Sequence, residues 1–372
     1  MGSEMCIRDR KGRITSCEDP DVTIEWAKDD AALALPVDAP IVIFLHTITG
    51  SAAQTRWQMS QASRRGWRSC TFVRRGHSNK RLRTPSFNLL GDVEDVEMQV
   101  AAVRHAYPDA FLGMVGVSAG SGLLISYLGR AGPSSPIHAA CAICPAWDIS
   151  TAFDQLSLEQ PAASKLMLES IKSTFIKRNE ALLRDWDEDA VDACLTATTM
   201  PEMLAAHAPF AMRRKGATAL EYFAEHNPME HRAGIAVPTL VLNAEDDFVC
   251  SARNVRPDLI VNEQPGALLL LTRTGSHCAF NEGTLGLGSF HTRVCLDFLD
   301  GARAVCDEDR MQSLHAARVH EGRVDVIVKG VRPGATKLTR LSLGGRGVPP
   351  GSATRISLEC KDSAKAAASR VQ

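Results

Sequence analysis

From Asp38 onward, short apolar runs alternate with longer segments of helical periodicity, and this alternation points the chain towards a parallel sheet covered by helices. The predicted strands are Ile41–His46, Ser69–Arg74, Phe111–Val117, His138–Cys144, Val237–Asn243 and Ala267–Thr272. One intervening segment carries Val93, Val96, Val100, Val103 and Tyr107 on a single stripe. Acidic residues Asp92, Glu94 and Asp95 open it and Pro108 stops it, the marks of a helix laid on a sheet. With 372 residues and 45% hydrophobic content, the chain has enough apolar surface for a large core.

Within that pattern, Phe111–Gly129 is a run of nineteen residues without a charge, long enough to span a bilayer. Five glycines interrupt it and no second span of this kind exists, so it reads better as strand, turn and helix. The strand is Phe111–Val117, the turn falls at Ser118, and the helix Ala119–Leu128 is expected to close on Gly129 as its C-terminal cap. The turn has the form Gly-x-Ser-x-Gly, with Gly116 and Gly120 flanking Ser118. A serine that must project its hydroxyl from the end of a sheet needs a sharp backbone turn. Side chains two positions away would collide with the neighbouring strand and helix, and glycine removes both collisions.

A serine hydroxyl is a weak nucleophile at neutral pH and needs an imidazole base, itself oriented by an acid. The strand "VPTLVLN" is followed by Glu245, Asp246 and Asp247, and "ALLLLTR" is followed by the loop that carries His277. Asp148, beyond another strand, also competes as the acid. Each candidate stands just past a strand end, where open α/β sheets collect their catalytic groups. Gly-Ser before His277 and Ala279-Phe280 after it suit a loop packed into a cleft. Ala119 N–H, at the head of the helix, supplies one oxyanion donor by position, and Ile48 N–H in "FLHTITGS" is expected to supply the other. His46 in the same loop reads as structural.

A net charge of −1 suggests no nucleic-acid partner. Eleven scattered cysteines fit reduced thiols better than a disulfide framework, and Cys141 and Cys144 read as core residues of a strand rather than as a redox or metal pair. No phosphate cradle, nucleotide fingerprint or zinc-spaced His/Cys set is present, so neither cofactor nor metal is expected. "MCIRDR" reads like a translated sequencing adapter, so residues 1–14 are expected to be artefactual or disordered, which leaves open an upstream anchor or targeting peptide. Localisation therefore stays open between the cytoplasm and a membrane surface. Residues 15–302 form the expected main domain, with a lid at about 150–233 carrying Met167, Leu168, Ile171, Phe175, Met203, Leu204, Phe210 and Met212. An ordinary amphipathic subdomain is the alternative reading of that stretch. Residues 303–372 form a basic appendage; twelve Lys/Arg against four Asp/Glu over 310–372 suggest a solvated tail, with peripheral membrane contact as a second option.

The segments "FLHTITG", "LRTPSFNLLGDVEDV", "GVSAGSGLLISYLG", "CPAWDI", "FAEHNPMEHRAGIAVPTLVLNAEDDFV" and "GSHCAF" together resemble the AB-hydrolase-4 family, the ABHD1/ABHD3- and YheT-like α/β-hydrolases. The resemblance runs in family order over about residues 15–302. It implies an α/β-hydrolase fold, a mostly parallel sheet flanked by helices with an inserted helical lid. It further implies Ser118, Asp247 and His277 as a triad that hydrolyses acylglycerol, phospholipid or similar apolar esters. The chain departs from the family in having His46-Thr47 before the oxyanion loop in place of Pro-Gly, Phe248 in place of proline after the acid, and Gly-Ser-His-Cys-Ala around the histidine. Acyl transfer to an alcohol would use the same triad, and a non-catalytic binding protein on the same fold is the remaining alternative.

Overall fold

A computed structural model describes residues 19, 21–256 and 266–314. The expectations for residues 1–14 and for most of the basic appendage lie outside the described residues.

A seven-stranded sheet in the order β1-β3-β2-β4-β5-β6-β7 forms the centre. Its strands are β1 Thr23–Trp26, β2 Ile41–Leu45, β3 Arg68–Val73, β4 Leu112–Val117, β5 Ala139–Ile143, β6 Thr239–Ala244 and β7 Ala267–Thr272. Every pairing is parallel except β1 with β3. All six predicted strands are present, each within two residues of its expected ends. The sheet also has the antiparallel edge strand β1, which no apolar run announces.

Alternation along β2 shows how the layers are built. Ile41, Ile43 and Leu45 face one core with Val96, Val100 and Val103 of α3 (Val93–Ala106) and Leu124 and Leu128 of α4 (Ala119–Ala131). Val42 and Phe44 face the opposite core with Met59 and Ala62 of α2 (Arg56–Arg64), and with Val294 and Leu299 of the long helix Phe290–Leu314. Successive strand side chains point to opposite faces, so a continuously apolar strand is what a sheet covered on both sides requires. The uncharged run 111–129 is thus divided between β4 and α4, and no helix among the described residues is long and apolar enough to cross a membrane.

One expectation about α4 is corrected. The helix does not close on Gly129 but runs on to Ala131, and Gly132, with φ +53°, takes the capping position. Gly129 is needed for a close approach instead: a Cβ there would lie 1.9 Å from the carbonyl oxygen of His231.

Between β5 and β6 the chain leaves the sheet for a run of helices from Ile149 to His231, beginning with α5 Ile149–Glu159 and α6 Pro161–Ile171. Phe175, Phe210 and Tyr222 are fully buried within this helical layer. Its third apolar core also takes in Ile48, Leu82, Phe87, Leu89 and Leu90 from the loops at the carboxyl ends of β2 and β3. The helical layer therefore sits over the end of the sheet where the site residues lie.

Candidate active site

Ser118 stands between the last residue of β4 and the first of α4 with φ 54° and ψ −121°, a conformation that costs a non-glycine residue energy and persists only when its surroundings enforce it. The Ser118 N–H donates to the Ile143 carbonyl at 2.8 Å, and the Ser118 carbonyl accepts from Ser121 N–H at 2.8 Å. A Cβ at Gly116 would lie 2.4 Å from the Gly120 carbonyl oxygen, and one at Gly120 would lie 2.3 Å from that of Leu45. Strand, turn and neighbouring strand therefore meet backbone to backbone, as the glycine spacing required.

Asp247 follows β6 in a tight turn and is 4% exposed. Its Oδ1 accepts the N–H groups of Val249 and Cys250, both at 2.8 Å. His277 lies in the turn after β7, where Phe280 N–H returns to the Gly275 carbonyl at 2.9 Å and the buried Phe280 ring anchors the loop. Ser276 N–H donates to Asp246 Oδ1 at 2.8 Å, so Asp246 holds the loop while its neighbour holds the ring.

The three side chains meet. His277 Nε2 is 2.8 Å from Ser118 Oγ, and His277 Nδ1 is 3.0 Å from each carboxylate oxygen of Asp247. Burial opposes a charged imidazole, but the ring's hydrogen bonds to Asp247 and Cys144 outweigh it and raise His277 to about 9. Of the competing acids, Asp148 is the N-cap of α5, where its side chain accepts from Thr151 N–H.

The loop after β2 brings Ile48 beside Ser118 and Ala119 in one pocket. Its support was not legible in the sequence. Arg74, buried at the end of β3, donates to the carbonyl of Thr47, the other half of the peptide unit that carries Ile48 N–H, and also to the Leu90 carbonyl at 3.3 Å. The His77 ring packs beneath, with Nε2 2.9 Å from the Ile48 carbonyl oxygen. Burial beside the Arg74 guanidinium pushes His77 down to about 3, so the ring is neutral. His46 is buried against the same guanidinium, with Nδ1 3.2 Å from Arg74 Nη2, which agrees with its structural reading. Thr47 thus sits in a loop clamped from below. Above Ser118 the pocket is apolar, walled by Ile48, Leu90, Leu123, Phe153, Met167 and Val249.

The profile of the alpha/beta hydrolase fold family matches residues 40–284. Phospholipase ABHD3 of Bos taurus is 26% identical over 290 residues, which cover 76% of this chain and 68% of that protein. Protein ABHD15 of Homo sapiens is 29% identical over 221 residues, 59% of this chain and 46% of that one. Medium-chain fatty acid ethyl ester synthase/esterase 2 of Saccharomyces cerevisiae is 25% identical over 269 residues, 66% of this chain and 58% of that one. With the family profile spanning more than half its length, and with the sheet order and elbow that the fold requires, this chain belongs to the α/β-hydrolase fold family and is a hydrolase.

Proposed function

We propose that the chain is a serine ester hydrolase of lipid esters, with Ser118 as nucleophile, His277 as base and Asp247 as the group that orients it. The observation that carries this reading is the unbroken hydrogen-bonded chain from Ser118 through His277 to Asp247, at 2.8 and 3.0 Å, opening on an apolar pocket. His277 Nε2 takes the Ser118 proton as Oγ attacks the ester carbonyl carbon. The carbonyl π electrons move to oxygen, and the resulting oxyanion is held by the N–H groups of Ile48 and Ala119. Collapse expels the alcohol, which takes its proton from the His277 imidazolium, and leaves an acyl group on Ser118. Water then repeats the sequence and releases the carboxylic acid. Asp247 keeps the Nδ1–H tautomer facing itself throughout and stabilises the imidazolium.

Two features support a lipid ester as substrate: the apolar walls of the pocket, and relatives whose names include a phospholipase and a fatty acid ethyl ester esterase. Phe153 and Met167, from the first two helices of the inserted layer, close one side of the pocket, so the layer acts as a lid over the acyl chain. Fatty acid release from phosphatidylcholines and monoacylglycerols of graded chain length tests the reading. The wild-type chain should release acid from at least one series and Ser118→Ala from none. Release from neither series by a folded wild-type protein would leave the fold as a binding module. Ethyl ester formed with ethanol present would reveal acyl transfer.

A further inference from the structure

Two cysteine sulfurs gather beside the catalytic imidazole, one from a distant part of the chain and one from the next residue. Cys144 lies just past the end of β5, where its N–H donates to the Leu242 carbonyl at 2.7 Å. With φ 49° it has left the extended geometry of the strand. Cys278 directly follows His277. A sulfur from each cysteine and a ring nitrogen of His277 lie within 4.8 Å of one another. A second trio, Asp247, Cys250 and His277, satisfies the same limit, and among the described residues these are the only two such groups. They share the imidazole, so four potential ligand side chains flank His277.

We propose that Cys144, His277 and Cys278 form a binding site for a thiophilic divalent cation of the Zn²⁺ class, and that its occupancy silences the active site. Tetrahedral zinc with Zn–S of about 2.3 Å and Zn–N of about 2.0 Å places its donors roughly 3.5–3.8 Å apart, so a cluster within 4.8 Å needs to contract by about 1.3 Å at most. Asp247 or Cys250, which form the second trio on the same imidazole, is the candidate for the fourth position. Thiolates select Zn²⁺ and Cd²⁺ over Mg²⁺ and Ca²⁺. Cys144 and Cys250 are buried while Cys278 and His277 are partly exposed, so the ion enters from the His277 side. On binding, each ligating thiol gives up its proton to solvent, and the ion takes an imidazole lone pair; no electrons change hands. Either ring nitrogen serves: loss of Nε2 removes the base from Ser118, and loss of Nδ1 removes the ring from Asp247. The inhibitory consequence rests on the triad reading above, whereas the binding does not.

Reduced full-length protein is titrated with Cd²⁺ while the ultraviolet thiolate-to-metal charge-transfer band is recorded, and ester turnover is followed in parallel with Zn²⁺ and then EDTA. The expected result is one site per chain whose filling tracks a loss of turnover reversed by EDTA. Its affinity should be about tenfold or more weaker in Cys144→Ala and in Cys278→Ala, and unchanged in Cys70→Ala, a core control on β3. A Cd²⁺ band and Zn²⁺ inhibition unaltered in both site variants would overturn the proposal, as would a saturated band with full turnover. A Cys144–Cys278 disulfide found in place of bound metal would do the same. If the wild-type protein hydrolyses no ester, the Cd²⁺ titration still decides whether the site exists, so the two readings fail separately.

Discussion

Asp247→Asn should cost far more than the loss of one charge, because the surroundings dictate how the new amide sits. Asp247 Oδ1 accepts two backbone N–H groups, from Val249 and Cys250, each at 2.8 Å. An asparagine must place its carbonyl oxygen there, since an NH2 group would face two donors. Its NH2 then takes the Oδ2 position, 3.0 Å from His277 Nδ1, and donates where that oxygen accepted, leaving the ring only the Oδ1 position, also 3.0 Å away and already taken by two N–H groups. The imidazole answers by moving its proton to Nε2, which lies 2.8 Å from Ser118 Oγ, and the serine loses its base. A triad in the wrong tautomer loses about 10⁴ in kcat, or roughly 5.5 kcal/mol of transition-state stabilisation. Steady-state turnover of a soluble p-nitrophenyl ester, with thermal melting to confirm the fold, measures this. Asp246→Asn keeps an oxygen for Ser276 N–H, and Asp148→Asn keeps a good N-cap on α5, so both should stay within about tenfold of wild type. Asp247→Asn retaining more than about a tenth of wild-type kcat, or Asp246→Asn falling as far as Asp247→Asn, would refute the assignment.

In metal-free buffer, kcat/KM should climb with pH along a limb whose midpoint lies well above 6.5, towards about 9, because only the neutral His277 accepts the serine proton. Folding has the opposite dependence: the raised pKa contributes roughly 3 kcal/mol that is fully present below about pH 6.5 and lost as pH rises through about 9, measurable by urea unfolding at each pH. Gly120→Ala would place a methyl group 2.3 Å from the Leu45 carbonyl oxygen, so it should lower stability by about 1–3 kcal/mol and shift Ser118 enough to depress kcat; denaturant midpoints and turnover equal to wild type would count against the elbow geometry. A chain ending at Leu314 retains every group of the proposed mechanism and should turn over soluble esters near the wild-type rate, which a direct assay of the truncated protein checks.

The sheet was legible because buried parallel strands are written as uninterrupted apolar runs, and the elbow because its close approaches admit only glycine. Chain order placed the three triad candidates, but nothing local in the sequence separates Asp247 from Asp246; their roles diverge only because one faces the imidazole and the other the Ser276 N–H. β1 has no signature in the sequence because it is four residues long and includes a charged residue, and its strand character comes from pairing with β3. Gly129 is not the cap that a glycine near a helix end usually is, because a segment more than one hundred residues away presses against it. The clamp of Arg74 and His77 on the oxyanion loop and the gathering of Cys144 and Cys278 at His277 are likewise tertiary, with no local pattern to announce them.

An activated Ser118 nucleophile should react with an electrophile that other serines ignore. Labelling with a fluorophosphonate followed by peptide mass spectrometry measures this most directly. One adduct per chain is expected on the peptide containing Ser118, slowed by Asp247→Asn and absent from a folded Ser118→Ala protein. An unlabelled wild-type protein, or an adduct that persists at another residue in Ser118→Ala, would contradict it.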